Sequence, residues 1–328
     1  MRRKKILAAI AALFMLSQAS LTVYGAPKSN NINAKQFVLS RNYGRWSSFR
    51  GGSSAWSTGR NSNYPTQNQR SQRTSTQQSL PANTESSANW GGYIDTPTGG
   101  KSYNSVSGSW TVPNITTRNQ DAVASQWIGL GGVNSNDLLQ MGTMETLENG
   151  QPTAEVFWEQ LPSVAQNIMT VQIGSSVSAN ISPDKTTANT WDLTVNVTEP
   201  NGLTQTQTVT TTLNASYAQG IGTSTEWISE NPSDVNNNLV PLANMGTVKY
   251  QSATANGQPI NASGNNVVPV AMVSSTGTIA IAPSALGSDG ESFSTTTSSS
   301  NSTSRKKLIK SRRTIRIRTN SRASSSWD

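Results

Sequence analysis

The sequence predicts an all-β domain, an antiparallel sandwich of two packed sheets, held between polar arms. Three observations carry this. Apolar residues alternate with period two through the middle of the chain, Gly, Pro and Asn turn signals punctuate them, and no stretch there keeps helical spacing for about ten residues. In "NSVSGSWTV" Val106, Trp110 and Val112 share one face, while Ser105, Ser107, Ser109 and Thr111 share the other. "WDLTVNVT" repeats the pattern with Trp191, Leu193, Val195 and Val197, and "EPNG" turns it into a second Thr-rich strand, "TQTQTVTTT". Further strands are predicted at Val123–Leu130, Pro152–Leu161, Met169–Ile181, Gly246–Gln251, Val267–Val273 and Thr278–Ala282. Together they make one domain over 87–286.

The ends differ from this body. "MRRKKILAAIAALFMLSQA" places four cations before a short apolar run and then small residues, the layout of a secretory signal segment over 1–25. The run is too short to span a bilayer, and no later stretch approaches that length, so a secreted, extracellular protein is expected. Residues 26–86, rich in Ser, Asn, Gln, Arg and Gly, read as a basic disordered pro-segment or linker. Residues 287–328 read as a Ser/Thr-rich stalk followed by a basic tail, "RKKLIKSRRTIRIRTNSR". The net charge of +8 is unevenly spread. Residues 87–286 hold four cations against 13 carboxylates, and the flanks hold 21 cations against four. This points to a tail that contacts an anionic cell wall, with no specific nucleic acid as partner.

The 328 residues include no histidine and no cysteine. That excludes Ser-His-Asp and Cys-His hydrolases, His-ligated zinc and disulfides. Acid–base chemistry is left to carboxylates, helped by amides and hydroxyls. No cofactor or metal is expected.

Four stretches stand out: "SANWGGYI" at 87–94, "SQWIGLGG" at 125–132, "LLQMGT" at 138–143 with "VFWEQLP" at 156–162 after it, and "STEWISEN" at 224–231. In order and rough spacing they resemble the glutamic peptidase (eqolisin) family of secreted, acid-active endopeptidases, in a bacterial-type form. The resemblance implies a protein or peptide substrate, insensitivity to pepstatin, and a catalytic pair that falls on Gln140 and Glu226. It implies that Trp90 and Trp127 line a substrate groove and that Glu159 lies near the pair. Period two puts Glu155, Phe157 and Glu159 on one face, and likewise Glu226, Ile228 and Glu230, making Glu159 and Glu230 further site candidates. Two family acids are missing: Gly131 replaces an aspartate, and Met144, with Glu145 beside it, stands at another acidic position.

The chemistry is coherent on its own terms. One glutamate serves as base and then as acid, while a glutamine amide donates to an oxyanion and orients water. Two other readings fit an acidic, Trp-rich sandwich. One is a lectin-like or adhesion module binding sugar or peptide in a Trp-lined groove. The other is a glycoside hydrolase using two carboxylates about 5–9 Å apart, drawn from Glu155, Glu159, Glu226 and Glu230.

Overall fold

Alternation decides the local structure almost everywhere. The computed structural model describes residues 79–298, except 118–120, 235 and 237, together with the strand residues Phe37–Val38. The expected signal segment, most of the N-terminal arm and the basic tail lie outside the described residues. All described residues fall in one unit, Gln36–Asp328.

The first strands are β1 (Phe37–Val38), β2 (Glu85–Ser87), β3 (Trp90–Pro97), β4 (Val106–Thr111), β5 (Ala122–Gly131), β6 (Leu138–Glu148) and β7 (Gln151–Gln160). Next come β8 (Gln166–Val171), β9 (Ser176–Pro183), β10 (Thr190–Thr198), β11 (Thr204–Thr212), the helix α1 (Ala215–Ile221) and β12 (Thr225–Glu230). The last are β13 (Ser233–Asp234), β14 (Thr247–Ala255), β15 (Gln258–Pro259), β16 (Asn265–Val273), β17 (Ile279–Pro283) and β18 (Phe293–Thr297).

Apart from the β1–β13 pair, the strands follow one order: β11, β10, β9, β4, β14, β18, β17, β16, β3, β12, β5, β6, β7, β8. β15 flanks β14, and β2 flanks β16. Neighbours are antiparallel except β2, which runs parallel to β16. The order turns on β14, whose first half pairs with β18 and whose second half pairs with β4. Between Gln251 and Thr254 its register shifts, with Ser252 at φ 51°. A bulge of this kind lets one strand serve two directions of sheet.

The main core lies where the two arms of this order face each other. The Trp110 indole of β4 donates to Thr143 of β6 at 3.0 Å, and the Trp227 indole of β12 donates to the Ser107 carbonyl at 2.6 Å. Trp227, Tyr250, Ile128, Leu130 and Met141 are fully buried there. At the far ends of the order, Thr211 of β11 donates to Gln160 of β7 at 2.9 Å, so the sheet nearly closes on itself. On β9 and β10 the side chains alternate between this core and the surface. The outward positions of β11 are Thr204, Thr206, Thr208, Thr210 and Thr212, all exposed, and they hydrogen-bond to Thr198, Asn196, Thr194, Asp192 and Thr190.

Three expectations need correction. Met169–Ile181 is two strands, β8 and β9, because Gly174 at φ 88° turns the chain between them. The body starts at least two residues before 87, since β2 begins at Glu85 and pairs with β16. It also extends beyond 286. Residues 293–297, expected in a stalk, form β18 between β14 and β17, with Phe293, Thr295 and Thr297 buried. Their Ser/Thr content hides an alternation whose inward side is Phe293, Thr295 and Thr297. The seven-residue helix α1 is too short to have left a periodic signal; its Asn214 cap accepts from the Tyr217 amide at 2.9 Å. Among the described residues no helix is long and apolar enough to cross a membrane.

Phe293 stacks on Tyr250 at 4.8 Å and meets Tyr93 edge-on at 4.7 Å. Phe293→Ala is therefore expected to destabilise the fold by about 3–5 kcal/mol in denaturant unfolding, whereas a stalk residue would be silent.

Candidate active site

The stretches singled out in the sequence lie side by side on β3, β12, β5, β6 and β7. Register then places their side chains. Glu159 stands opposite Gln140, Gln140 opposite Gly129, Gly129 opposite Glu226, and Glu226 opposite Ile94. Directly opposed residues share a face, so these five form one transverse row on the face turned away from the main core. With strands about 4.8 Å apart, the Cα atoms of Gln140 and Glu226 lie roughly 9–10 Å apart with Gly129 between them.

Gly129 lets the neighbouring side chains close over that interval. A Cβ there would meet Trp127 Cζ3 at 2.9 Å, Leu138 Cδ1 at 3.0 Å and Glu226 Oε2 at 3.2 Å. This glycine sits inside the "WIGLGG" stretch, where nothing in the alternation marks it as part of the site. Gln140 Nε2 donates to Glu159 Oε2 at 2.6 Å, which fixes the amide. Gln140 Oε1 and both oxygens of Glu226 have no hydrogen-bond partner, although both residues are fully buried. Buried acceptors without partners are costly and rare, and here two residues of one row carry three of them.

The rows that follow hold the other predicted residues. Trp127 is opposed by Gly142 and Ile228, and its side chain fills the space that a Cβ at Gly142 would need. One row further, Glu155, Met144, Ser125, Glu230 and Trp90 line up. Glu230 accepts from the Trp127 indole at 2.7 Å and from Asn89 Nδ2 at 2.9 Å. Trp90 meets Trp127 edge-on at 5.2 Å. Glu226, Gln140, Glu159, Trp127, Glu230 and Trp90 thus share one face of five adjacent strands. Asn89 also belongs to this arrangement; its place in "SANW" was the available signal, and it was not used.

Of the two positions where the family's acids are missing, Met144 has Glu155 directly opposite it, and Gly131 lies against the Asp137 backbone. Met144 and Glu145 point to opposite faces, so Glu145 lies in the main core, fully buried opposite Ala124 and Ala154. Its neighbours Thr143 and Gln126 approach the carboxyl without completing a hydrogen bond, and burial pushes its pKa up to about 8. Gly131 has φ 87°, and a Cβ there would lie 2.2 Å from the Asp137 carbonyl, so an aspartate does not fit this backbone. Burial also lifts the Glu226 carboxyl well above its ordinary value; an approaching Ser224 hydroxyl opposes this, and the charge of Asp95 adds to it. Asp95, on the core side of β3, is fully buried and raised to about 7 by burial, against the opposing pull of Tyr103 and the amides of Asn266 and Thr96. Among the described residues there is no group of three side chains able to hold a metal ion.

A glutamate and a glutamine thus flank a glycine on one face of an antiparallel sheet. Residues 88–303 match the model of the Peptidase A4 family, more than half of the chain, and the chain belongs to that family of glutamic endopeptidases. Aspergillopepsin-2 of Aspergillus niger is 26% identical over 194 residues, a match covering 53% of this chain and 66% of that relative, just under two thirds of its length. Among solved structures, scytalido-glutamic peptidase with a transition state analog inhibitor shares the fold at TM-score 0.50 and 20% identity, covering 64% of this chain and 98% of that one. The aspergilloglutamic peptidase of Aspergillus niger aligns at TM-score 0.43 and 24% identity, covering 54% and 99%.

The buried carboxyls make stability depend on pH with a definite sign. Below about pH 4 folded and unfolded chains are both protonated, and the folded state keeps its full stability. As pH rises, the unfolded chain releases protons that Asp95 and Glu145 still hold, so stability falls through about 7 and 8, their folded values. Glu145→Gln is expected to flatten this decline by about 1.4 kcal/mol for each unit of the removed shift, read from unfolding midpoints at pH 4, 6 and 8.

Proposed function

We propose that this chain is a secreted endopeptidase that works in acid, hydrolysing peptide bonds with water activated by Glu226 and Gln140 and without a covalent intermediate. The observation that carries this reading is the row itself: Gln140 and Glu226 flank Gly129 on one face, with unpaired acceptors on both. Water entering the row relieves the burial that raises the Glu226 carboxyl, and the ionised carboxylate takes a proton from that water as it attacks the peptide carbonyl. The protonated carboxyl then gives this proton to the leaving amine, which departs neutral and returns Glu226 to its starting state. Gln140 orients the water through Oε1 and turns Nε2 toward the oxyanion, with Glu159 holding the amide until then. Trp127 and Trp90 wall the groove. Work in acid fits a fold whose buried Asp95 and Glu145 favour the protonated state.

The cross-core hydrogen bonds of Trp110 and Trp227 support reading the nearly closed sheet as two packed layers. The signal-like layout of 1–25 supports export. The charge distribution motivates a further part of the proposal, latency: the basic segment over 26–86 is attracted to the acidic body while its carboxylates are ionised and is released as they protonate. Equal activity with and without that segment at every pH would reject this part. The basic tail is assigned to an anionic cell wall.

Competing readings have less support. Glu230 is engaged by Trp127 and Asn89, and Glu159 by Gln140, so neither stands ready as the second carboxylate of a glycosidase. A lectin-like module gives no reason for Glu226 and Gln140 to face each other across a glycine in one row.

Protein digestion between pH 2 and 7, with pepstatin present, decides among them. Wild type is expected to digest, Glu226→Gln to be inactive, and Gln140→Ala to lose about 100- to 1000-fold in kcat. Digestion by Glu226→Gln would end this mechanism, and a folded but inactive wild type would favour the binding module.

A further inference from the structure

We propose that Glu230 is a positioning residue, whose task is to lock the Trp127 indole as the wall of the space between Gln140 and Glu226; this rests on the dyad reading above. Glu230 lies four residues along β12 from Glu226, about 13 Å between Cα atoms, so it does not reach the dyad space itself. Trp127 bridges the distance. Its Nε1 donates to Glu230 Oε2 at 2.7 Å, while its Cζ3 lies 2.9 Å from where a Cβ at Gly129 would stand. One end of the ring is tied to Glu230 and the other borders the interval between the two dyad residues.

The second oxygen has its own anchor. Asn89 Nδ2 donates to Glu230 Oε1 at 2.9 Å, and the Asn231 amide donates to the Asn89 carbonyl at 2.9 Å. Both partners approach as N–H donors, so the position calls for two acceptor oxygens, and only a carboxylate supplies them without bringing a donor of its own. A glutamine would turn its NH₂ toward the indole or toward Asn89. Three of the four stretches singled out in the sequence thus meet at one carboxyl group, through Asn89, Trp127 and Glu230.

The test is a double-mutant cycle on the full chain, with peptide hydrolysis and thermal unfolding measured for Glu230→Gln, Trp127→Phe and the pair. Each single variant is expected to lose about tenfold or more in kcat/KM, and the pair no more than the worse single variant, because both remove the same tie. Asn89→Ala provides a milder variant, expected to be weaker in effect and also non-additive with Trp127→Phe. Losses that multiply in the pair overturn the proposal, since Glu230 would then act independently of the indole. A lowered unfolding midpoint with kcat/KM unchanged also overturns it, reducing Glu230 to a structural role. Glu226→Gln run alongside separates the two readings: its activity would remove the dyad mechanism, whatever the cycle reports for Glu230.

Discussion

The register between β12, β5 and β6 is the constraint on which the site depends. Two antiparallel ladders align Glu226 with Gly129 and Gly129 with Gln140. A slip of one residue in either ladder would send one member of the pair into the main core, since successive side chains alternate faces. Burial on both faces prevents that slip. Trp227 and Ile228 of β12 are both fully buried, on opposite sides, so neither exchange of faces is tolerated. The same packing that makes the sheet stable also holds Glu226 and Gln140 apart by one glycine.

The site is unusual in how little charge compensation it has. The described cations, Lys101, Lys185 and Lys249, are all exposed, while Asp95, Glu145 and Glu226 are fully buried. Asp95 and Glu145 remain inside the protein in acid by staying protonated, since burial raises them to about 7 and about 8. Isolated ionised carboxylates in such surroundings would be prohibitive. Acid is thus the condition under which this interior is least frustrated, and the chemistry assigned to Glu226 draws on the same environment.

Much of this was legible in the chain. Strand positions followed from alternation, and the six candidate residues came from short stretches whose strands turn out to be neighbours. What escaped was of two kinds. Glycine carries no side-chain pattern, so neither the close packing at Gly129 nor the turn at Gly174 announced itself. Composition also misled where it overrode alternation: residues 293–297 look like a stalk by content, yet every second one is buried. Glu145 could be read only with its partner strand known, because adjacent positions in sequence belong to opposite sides of the sheet.

The outward face of β11 has a consequence for how the protein responds to pH. Its five threonines, bonded to Thr198, Asn196, Thr194, Asp192 and Thr190, include a single group able to take up a proton, Asp192. A surface rich in carboxylates and lysines becomes uniformly cationic as pH drops, and its own repulsion then strains the fold. This face changes hardly at all. Its hydration and its electrostatic potential remain nearly constant across the range in which the interior carboxyls titrate, leaving the response to pH to the inside of the molecule.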